Sequence, residues 1–253
     1  VVRTARLGPY LALVGACLAL AAVCTAAGVW QVQRYGEKRR SNADLRHSAE
    51  LAAVPVDDVL AVGRPVDPGL RLRQVTAAGR YEPAGQVLVR QRSVDGRAGF
   101  LVVTPLRTAG GTLLVVRGFV AALGSATQSP VVPAPSAGAV TLTGRVYPSE
   151  PPQPAGALPA GQVERIDVPE LTRRAGGGPA YGGYVELVSA QPADAAGLTP
   201  LPAPDLSNPA GGAVEGQHLA YIVQWFFFAL LALAGPVVLP ALDRRAQAAA
   251  RAE

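Results

Sequence analysis

The sequence predicts an integral membrane protein of the α+β class, with two transmembrane helices flanking one mainly antiparallel β domain. Two charge-free stretches, residues 7–33 and 219–242, stand near the ends of the 253-residue chain. Between them lie short Val- and Leu-rich runs punctuated by Gly, Pro, Asp and Ser, the signature of strands and turns rather than helices. Hydrophobic residues make up 49% of the chain but concentrate at its two ends, so the middle is of ordinary polarity. The division that follows is a first transmembrane helix at 7–33, a β-rich domain with Pro- and Ala-rich loops at 34–217, a second transmembrane helix at 218–242 and a tail at 243–253.

The first run, LGPYLALVGACLALAAVCTAAGVWQVQ, reaches about 40 Å as a helix, enough to cross a hydrocarbon core of about 30 Å. A secretory signal is the competing reading, because Arg3 and Arg6 precede the run and Ala26-Ala27 suits a peptidase. The run is longer than the usual apolar core of about 7–15 residues, which favours an uncleaved span. Cys17 and Cys24 share a helical face but lie about 10 Å apart along the axis, too far to bridge. Packing is the plain reading for both, and copper ligation the other. On a continuing helix, Trp30, Arg34, Glu37 and Lys38 fall within about 100° of arc with Gln31 on its border. Such a face is either a solvated, snorkelling helix end or one wall of a site.

Helix is expected to about Leu60. Seven strand runs follow: LRQVTAAGRY, QVLVRQRSV, GFLVVTPLR, GTLLVVRGFVA, AVTLTGRVY, QVERIDV and YGGYVELVSA. Thr-Ala-Gly-Gly between the third and fourth marks a hairpin. An antiparallel sheet or small barrel would bury them. Three Pro- and Ala-rich segments, around residues 125–138, 148–161 and 191–212, read as extended tethers rather than packed elements.

The second run opens with His218, and Tyr221 and Trp225 fall on its stripe with Gln224 beside it. One reading is an interfacial belt, with Tyr and Trp at headgroup level and His and Gln wetting their polar ends. A binding site is the other reading, since a plain anchor has no need of this cluster in its first two turns.

Residue inventory excludes several enzyme classes. Both cysteines lie in the first apolar run, and the segment between the runs has a single histidine, His47. Cys–His catalysis, histidine-rich metal hydrolysis and zinc ribbons therefore lack their ligands or bases. No nucleophile elbow and no phosphate-binding loop ending in Lys-Ser or Lys-Thr occurs, so no catalytic constellation is present. Residues 34–120 carry a balance of +6 and residues 121–217 one of −4. The basic half favours an anionic partner such as headgroups, an acidic protein surface or porphyrin propionates; nucleic acid is not expected of a domain tethered to a bilayer at both ends. Arg71 and Arg73, then Arg90 and Arg92, are i, i+2 pairs that on strands share a face. That face of Arg90 and Arg92, with Arg117-Gly118 beside it, is the expected docking surface: Arg117 offers a planar fork to carboxylates and Gly118 a close backbone approach. Loss of Arg117 would then impair docking and leave the fold intact.

Several stretches in order resemble the surfeit locus protein one (Surf/Shy) family. They are Gly28-Val29-Trp30-Gln31 with Arg34 and Lys38, Gly79-Arg80-Tyr81, Gly99-Phe100 with Thr104-Pro105-Leu106, Val115 with Arg117-Gly118-Phe119-Val120, and His218-Leu219 with Tyr221, Gln224 and Trp225. The resemblance covers nearly the whole chain and is weakest between Gly124 and Gly216. Val116, and Gly216-Gln217 before His218, depart from the Asn or Asp that the family tends to have there.

The resemblance implies a non-enzymatic assembly factor of cytochrome c oxidase that assists haem a delivery to subunit I. It also implies a multi-pass cell-membrane protein whose β domain is extracytoplasmic and whose termini are both cytoplasmic. His218 would ligate the haem iron; Trp30, Tyr221 and Trp225 would wall the porphyrin, and Arg34 and Lys38 would meet its propionates. Subunit I, other respiratory-complex subunits and membrane lipid are the implied partners. The alternative is a scaffold or accessory subunit that holds subunit I, or stays on the finished oxidase, without binding haem.

Overall fold

The computed structural model describes residues 7–122, 124, 128–153, 156, 158–194, 196–212 and 214–251. Arg3 and Arg6, which enter the signal-sequence reading, lie outside the described residues, as do parts of the three Pro-rich segments. The chain divides into two units, Val1–Asn42 with Ala210–Glu253, and Ala43–Pro209.

The first unit is a pair of helices. α1 (Leu7–Glu50) and α3 (Glu215–Ala249) are each long and apolar enough to cross a membrane. The ring of Phe226 lies 3.0 Å from where a Cβ on Gly28 would stand, and Cys17 Sγ is 3.0 Å from the same point on Gly235. Those contacts run in opposite order along the two helices, so the pair is antiparallel. Ala21 and Cys24 of α1 are buried, as are Ala229 and Ala232 of α3. Small side chains let the two backbones approach, the usual basis of helix packing in lipid. Cys24 is thus a packing residue and Cys17 a neighbour of Gly235. Among the described residues no group of three or more His, Cys, Asp or Glu is placed to hold a metal ion.

The second unit is a small β barrel. Helix α1 ends at Glu50, ten residues short of the expected Leu60. Pro55 bars Val54 from helical geometry, and the Arg73 guanidinium draws the chain aside by donating to Leu51 O (3.0 Å) and Ala52 O (2.6 Å). Strands follow as β1 (Val54–Pro55), β2 (Gln74–Tyr81), β3 (Val87–Val94), β4 (Arg97–Thr108), β5 (Thr112–Ala121), β6 (Ala139–Pro148), β7 (Gln162–Val163) and β8 (Ala180–Gln191), with α2 (Val168–Arg174) before the last.

The sheet order is β1-β2-β6-β8-β5-β4-β3-β7, and β2 also pairs with β4. That last pairing closes a ring, β2-β6-β8-β5-β4, in which β4 meets β3 through its first half and β2 through its end. The sheet is mixed rather than mainly antiparallel in a simple sense: β1–β2, β3–β7 and β5–β8 are parallel. Hairpin logic sees only neighbours in sequence, whereas a parallel pair needs a long crossover; here β6, β7 and α2 fill the connection from β5 to β8. The hairpin at Thr108–Thr112 is present, its tip held by Gly110 N and Gly111 N donating to Thr108 Oγ1.

Alternation along the strands makes two layers. Leu113 and Val115 of β5 join Val75, Leu106, Leu142 and Val185 inside the ring. Their neighbours Leu114 and Val116 face a second core under α2, with Val89, Val103, Ile166 and Leu171. The run QVERIDV, expected as a strand, pairs only at Gln162–Val163 and then turns into α2. Asp167 caps that helix by accepting from Glu170 N, and Pro169 suits its first turn.

Residues 196–209 of the last Pro-rich segment are packed rather than a free tether. Phe119 N donates to Thr199 O and Thr199 N to Phe119 O, both at 2.8 Å. Arg46 donates to Leu206 O and Ser207 O, and Arg71 to Pro209 O. Arginine donors on the fold supply what proline cannot, and so these irregular strands have their carbonyls satisfied.

Candidate functional site

Arg34, Glu37, Lys38 and Ser41 recur along one face of α1 at helical spacing, and together with Gly211, Gly212 and His218 they line a cleft of about 380 Å³ within the helical unit. His218 stands in the first turn of α3. Its Nδ1 lies 3.1 Å from Gln31 Oε1 on α1. With the amide oxygen as acceptor, Nδ1 carries the proton and Nε2 keeps the lone pair, the arrangement that orients a ligating imidazole. The Lys38 ammonium donates to Gly211 O, and Arg34 Nη1 pairs with Glu37 Oε2 at 3.0 Å. Ala210 N donates to Asn42 Oδ1 at 3.0 Å, which ties the segment entering α3 to the helix it faces.

Of the six residues expected around a porphyrin, three line this cleft: His218, Arg34 and Lys38. Trp30, Tyr221 and Trp225 do not. Trp30 is 56% exposed and Tyr221 50%, and Trp225 packs edge-on against Phe228 with ring centroids 6.2 Å apart. They follow the cleft residues along the same helical stripes, toward the apolar part of each helix. Sequence reasoning placed Gln31 only at the border of the α1 face. Its spacing of three and seven residues from Arg34 and Lys38 was the available signal.

The second expected surface, on the β domain, takes a different form. Arg117 is not exposed: its side chain is fully buried beside an Asp194 that is only 13% accessible. Nε and Nη2 donate to the two Asp194 oxygens at 2.7 Å each, while Nη1 donates to Gln86 Oε1 (3.0 Å) and Pro133 O (3.2 Å). The guanidinium also lies 5.7 Å from the centroid of the Tyr81 ring. The planar fork is used, but on the chain's own Asp194, so Arg117 cannot dock a partner carboxylate. Gly118 likewise admits a close approach, and what approaches is Thr199 of the same chain, whose carbonyl lies 2.9 Å from the position of a Cβ.

Arg90 and Arg92 do not form the expected pair either. Gln91 between them has φ +55°, and the β3–β4 register shifts between Val89 and Arg92, which breaks the alternation that puts i and i+2 on one face. Arg92 Nη2 is bound by both oxygens of Glu150, at 2.8 and 2.7 Å, and Glu150 also accepts from Ile166 N. Arg71 and Arg73 precede β2 rather than lying on it, and Leu72 between them has φ +70°. Arg71 stands over the Tyr147 ring, 5.5 Å from its centroid, and Tyr147 stacks on Tyr184. Burial pushes the Glu186 carboxyl up from its ordinary value, opposed by a hydrogen bond with Tyr147 and by Arg145, Arg71 and Arg92. The Tyr81 hydroxyl is raised by burial and by Asp194, with Arg117 opposing. Arg71, Arg92 and Arg117 serve an internal network.

Residues 18–230 match the sequence profile of the SURF1 family, a stretch that takes in most of α1, the barrel, the first part of α3 and the cleft residues. The chain belongs to the SURF1 family. SURF1-like proteins of Mycobacterium tuberculosis (strains H37Rv and CDC 1551) and Mycobacterium bovis, themselves uncharacterised, are each 33% identical to it over 241 residues, covering 89% of this chain and 81% of theirs. SURF1 proteins are linked to the assembly of cytochrome c oxidase and form an assembly-factor family rather than a known class of enzyme. The apolar helices near the two ends of this SURF1 member fit membrane anchoring.

Proposed function

We propose that this SURF1-family protein assists the delivery of haem a to subunit I of cytochrome c oxidase, receiving the porphyrin as cargo at the cleft between α1 and α3. The observation that carries the reading is the Gln31–His218 contact: an imidazole held at Nδ1 by the opposite helix presents Nε2 in a cleft with two cations. The donor set fits a haem. His218 offers the axial nitrogen, and Arg34 and Lys38 offer donors to two propionates. The Arg34–Glu37 pair is more than half exposed on both sides, so exchanging Glu37 for another carboxylate costs little. Trp30, Tyr221 and Trp225 extend the two stripes with aromatic surface on which an apolar macrocycle can lie. The chain's own work is to hold, orient and release, with no covalent step.

Protein purified from cells that make haem a should show a Soret band. His218→Ala should abolish it, and Gln31→Leu should weaken haem affinity about 10–100-fold, the usual effect of removing the group that orients a ligating histidine. An undiminished haem content in the His218 variant would overturn the ligand assignment.

A scaffold that holds subunit I through protein contacts alone is the second reading, favoured by the large exposure of Trp30 and Tyr221 on the helical pair. Oxidase assembly that survives His218→Ala but fails when both aromatics become alanine would select it. In either reading the protein sits in the cell membrane among lipid, with subunit I and neighbouring respiratory subunits as partners, the β domain extracytoplasmic and the termini cytoplasmic. Val131, 89% exposed, is the place for a single thiol in a cysteine-free variant. An impermeant maleimide should label it in intact cells; labelling only after permeabilisation would reverse the topology.

A further inference from the structure

A second cleft, of about 410 Å³, lies in the β domain between α2, the start of β8 and the Gly63–Pro65 loop. That volume falls within the range of small-ligand sites, about 300–1,000 Å³. Its walls are mostly apolar, with Pro65, Val168, Pro169 and Tyr181 supplying the surface.

Two further observations concern its polar groups. Thr172, which lines the cleft, is only 6% exposed, and its buried hydroxyl makes no hydrogen bond to a described residue. Buried hydroxyls are normally paired, and one left without a partner beside an open cleft is a donor waiting for an acceptor. At the lip stand Arg64 and Arg173, both exposed and neither paired with a carboxylate among the described residues. Neighbouring arginines are paired: Arg174 with Glu170 and Arg107 with Glu82.

The walls are set before any ligand arrives. A Cβ on Gly182 would fall 1.6 Å from Arg64 O, so the Arg64–Pro65 wall rests directly on the β8 backbone. The site does not invite an extended peptide, because the start of β8 already has backbone partners. Gly63 N donates to Ala180 O at 2.8 Å and Gly182 N to Ala61 O at 3.2 Å. A small molecule fits what remains.

We propose that this cleft binds a small apolar carboxylate, with its body on Pro65, Val168 and Tyr181, its charge met by Arg64 and Arg173, and Thr172 donating a hydrogen bond. The site is independent of the haem reading and uses none of its residues. The test uses the full chain in nanodiscs, titrated calorimetrically with 4-phenylbutyrate and with the neutral 4-phenyl-1-butanol, against empty nanodiscs. The carboxylate should bind at least about tenfold more tightly than the alcohol, and Arg64→Gln with Arg173→Gln should remove that difference. Thr172→Val should weaken binding several-fold while raising the thermal midpoint of the ligand-free protein, since it deletes an unpartnered hydroxyl. His218→Ala should leave the titration unchanged. Equal affinity for acid and alcohol, no heat above empty nanodiscs, or binding that survives the double arginine substitution would each overturn the proposal.

Discussion

Arg117→Ala should destabilise the β domain by about 3–5 kcal/mol, the cost of removing one partner from a buried ion pair. The substitution takes both guanidinium donors from Asp194, which is only 13% accessible, and leaves Gln86 Oε1 and Pro133 O without the donor they share. It also removes one of the ties between the segment around Asp194 and β5, leaving the Phe119–Thr199 bridge to hold it. Against a typical domain stability of about 5–15 kcal/mol this is a large fraction. In urea, with an m-value of about 2 kcal/mol/M, the midpoint should fall by roughly 2 M. Pulse proteolysis of the membrane-anchored protein reads that midpoint. Arg117→Lys keeps the charge but loses the two-pronged geometry, and should fall between wild type and alanine. A midpoint unmoved by Arg117→Ala would mean that the pair contributes nothing, and a surface role for this arginine would have to be reconsidered.

Gly79→Ala should open the barrel at its seam. A Cβ there would stand 2.3 Å from Arg107 O, 2.9 Å from the Arg107 carbonyl carbon and 3.0 Å from Leu106 Cγ. Two of those atoms are backbone, so no side-chain rotation relieves the clash. Gly79 is also where β2 meets β4: Gly79 faces Thr108, Arg80 faces Arg107 and Tyr81 faces Leu106. A strand pushed away at this point loses the ring-closing register, at an expected cost of about 3 kcal/mol or more. Hydrogen exchange reports it locally. The Glu82 amide, which donates to Pro105 O at 2.8 Å, should exchange much faster in the variant, while amides of the β4–β5 hairpin keep their relative protection. Wild-type protection at Glu82 would show that the seam accommodates the methyl group. Tyr81 ends this seam and lies under Arg117, so the two substitutions are close enough to couple and should not be additive.

Much of the architecture could be read from periodicity and charge. The two charge-free runs became α1 and α3, and the Val- and Leu-rich runs became strands, because both signals are local. Ring closure was not legible, since β2–β4 and β5–β8 join residues far apart in sequence and no turn announces them. Arg117 shows the same limit at a single residue. Its planar donor fork is visible in the sequence, but its acceptor is 77 residues away, in a Pro- and Ala-rich segment whose composition hides how firmly it is held. Charge counting treats each arginine as a free cation, whereas Arg46, Arg71, Arg73, Arg92 and Arg117 are spent on carbonyls and carboxylates inside the fold. Helix α2 was missed although Asp167 and Glu170 stand at capping distance, because a run of alternating apolar residues precedes it. In the helical unit the stripes were legible and their meeting partly so: His218, Arg34 and Lys38 share the cleft, and the aromatic residues fall outside it.

The position of β8 bears on when this domain can exist at all. It is the last strand in sequence, yet it lies in the interior of the sheet order between β5 and β6, parallel to one and antiparallel to the other. While the chain is being made, β2 through β6 emerge with the slot between β5 and β6 still empty, each presenting an unpaired row of amides and carbonyls of the kind that invites mispairing. Completion therefore waits on residues 180–191, only some two dozen positions before α3 begins. The nascent domain spends nearly all of its synthesis as an open sheet attached to α1, and becomes a closed body almost as its second helix appears.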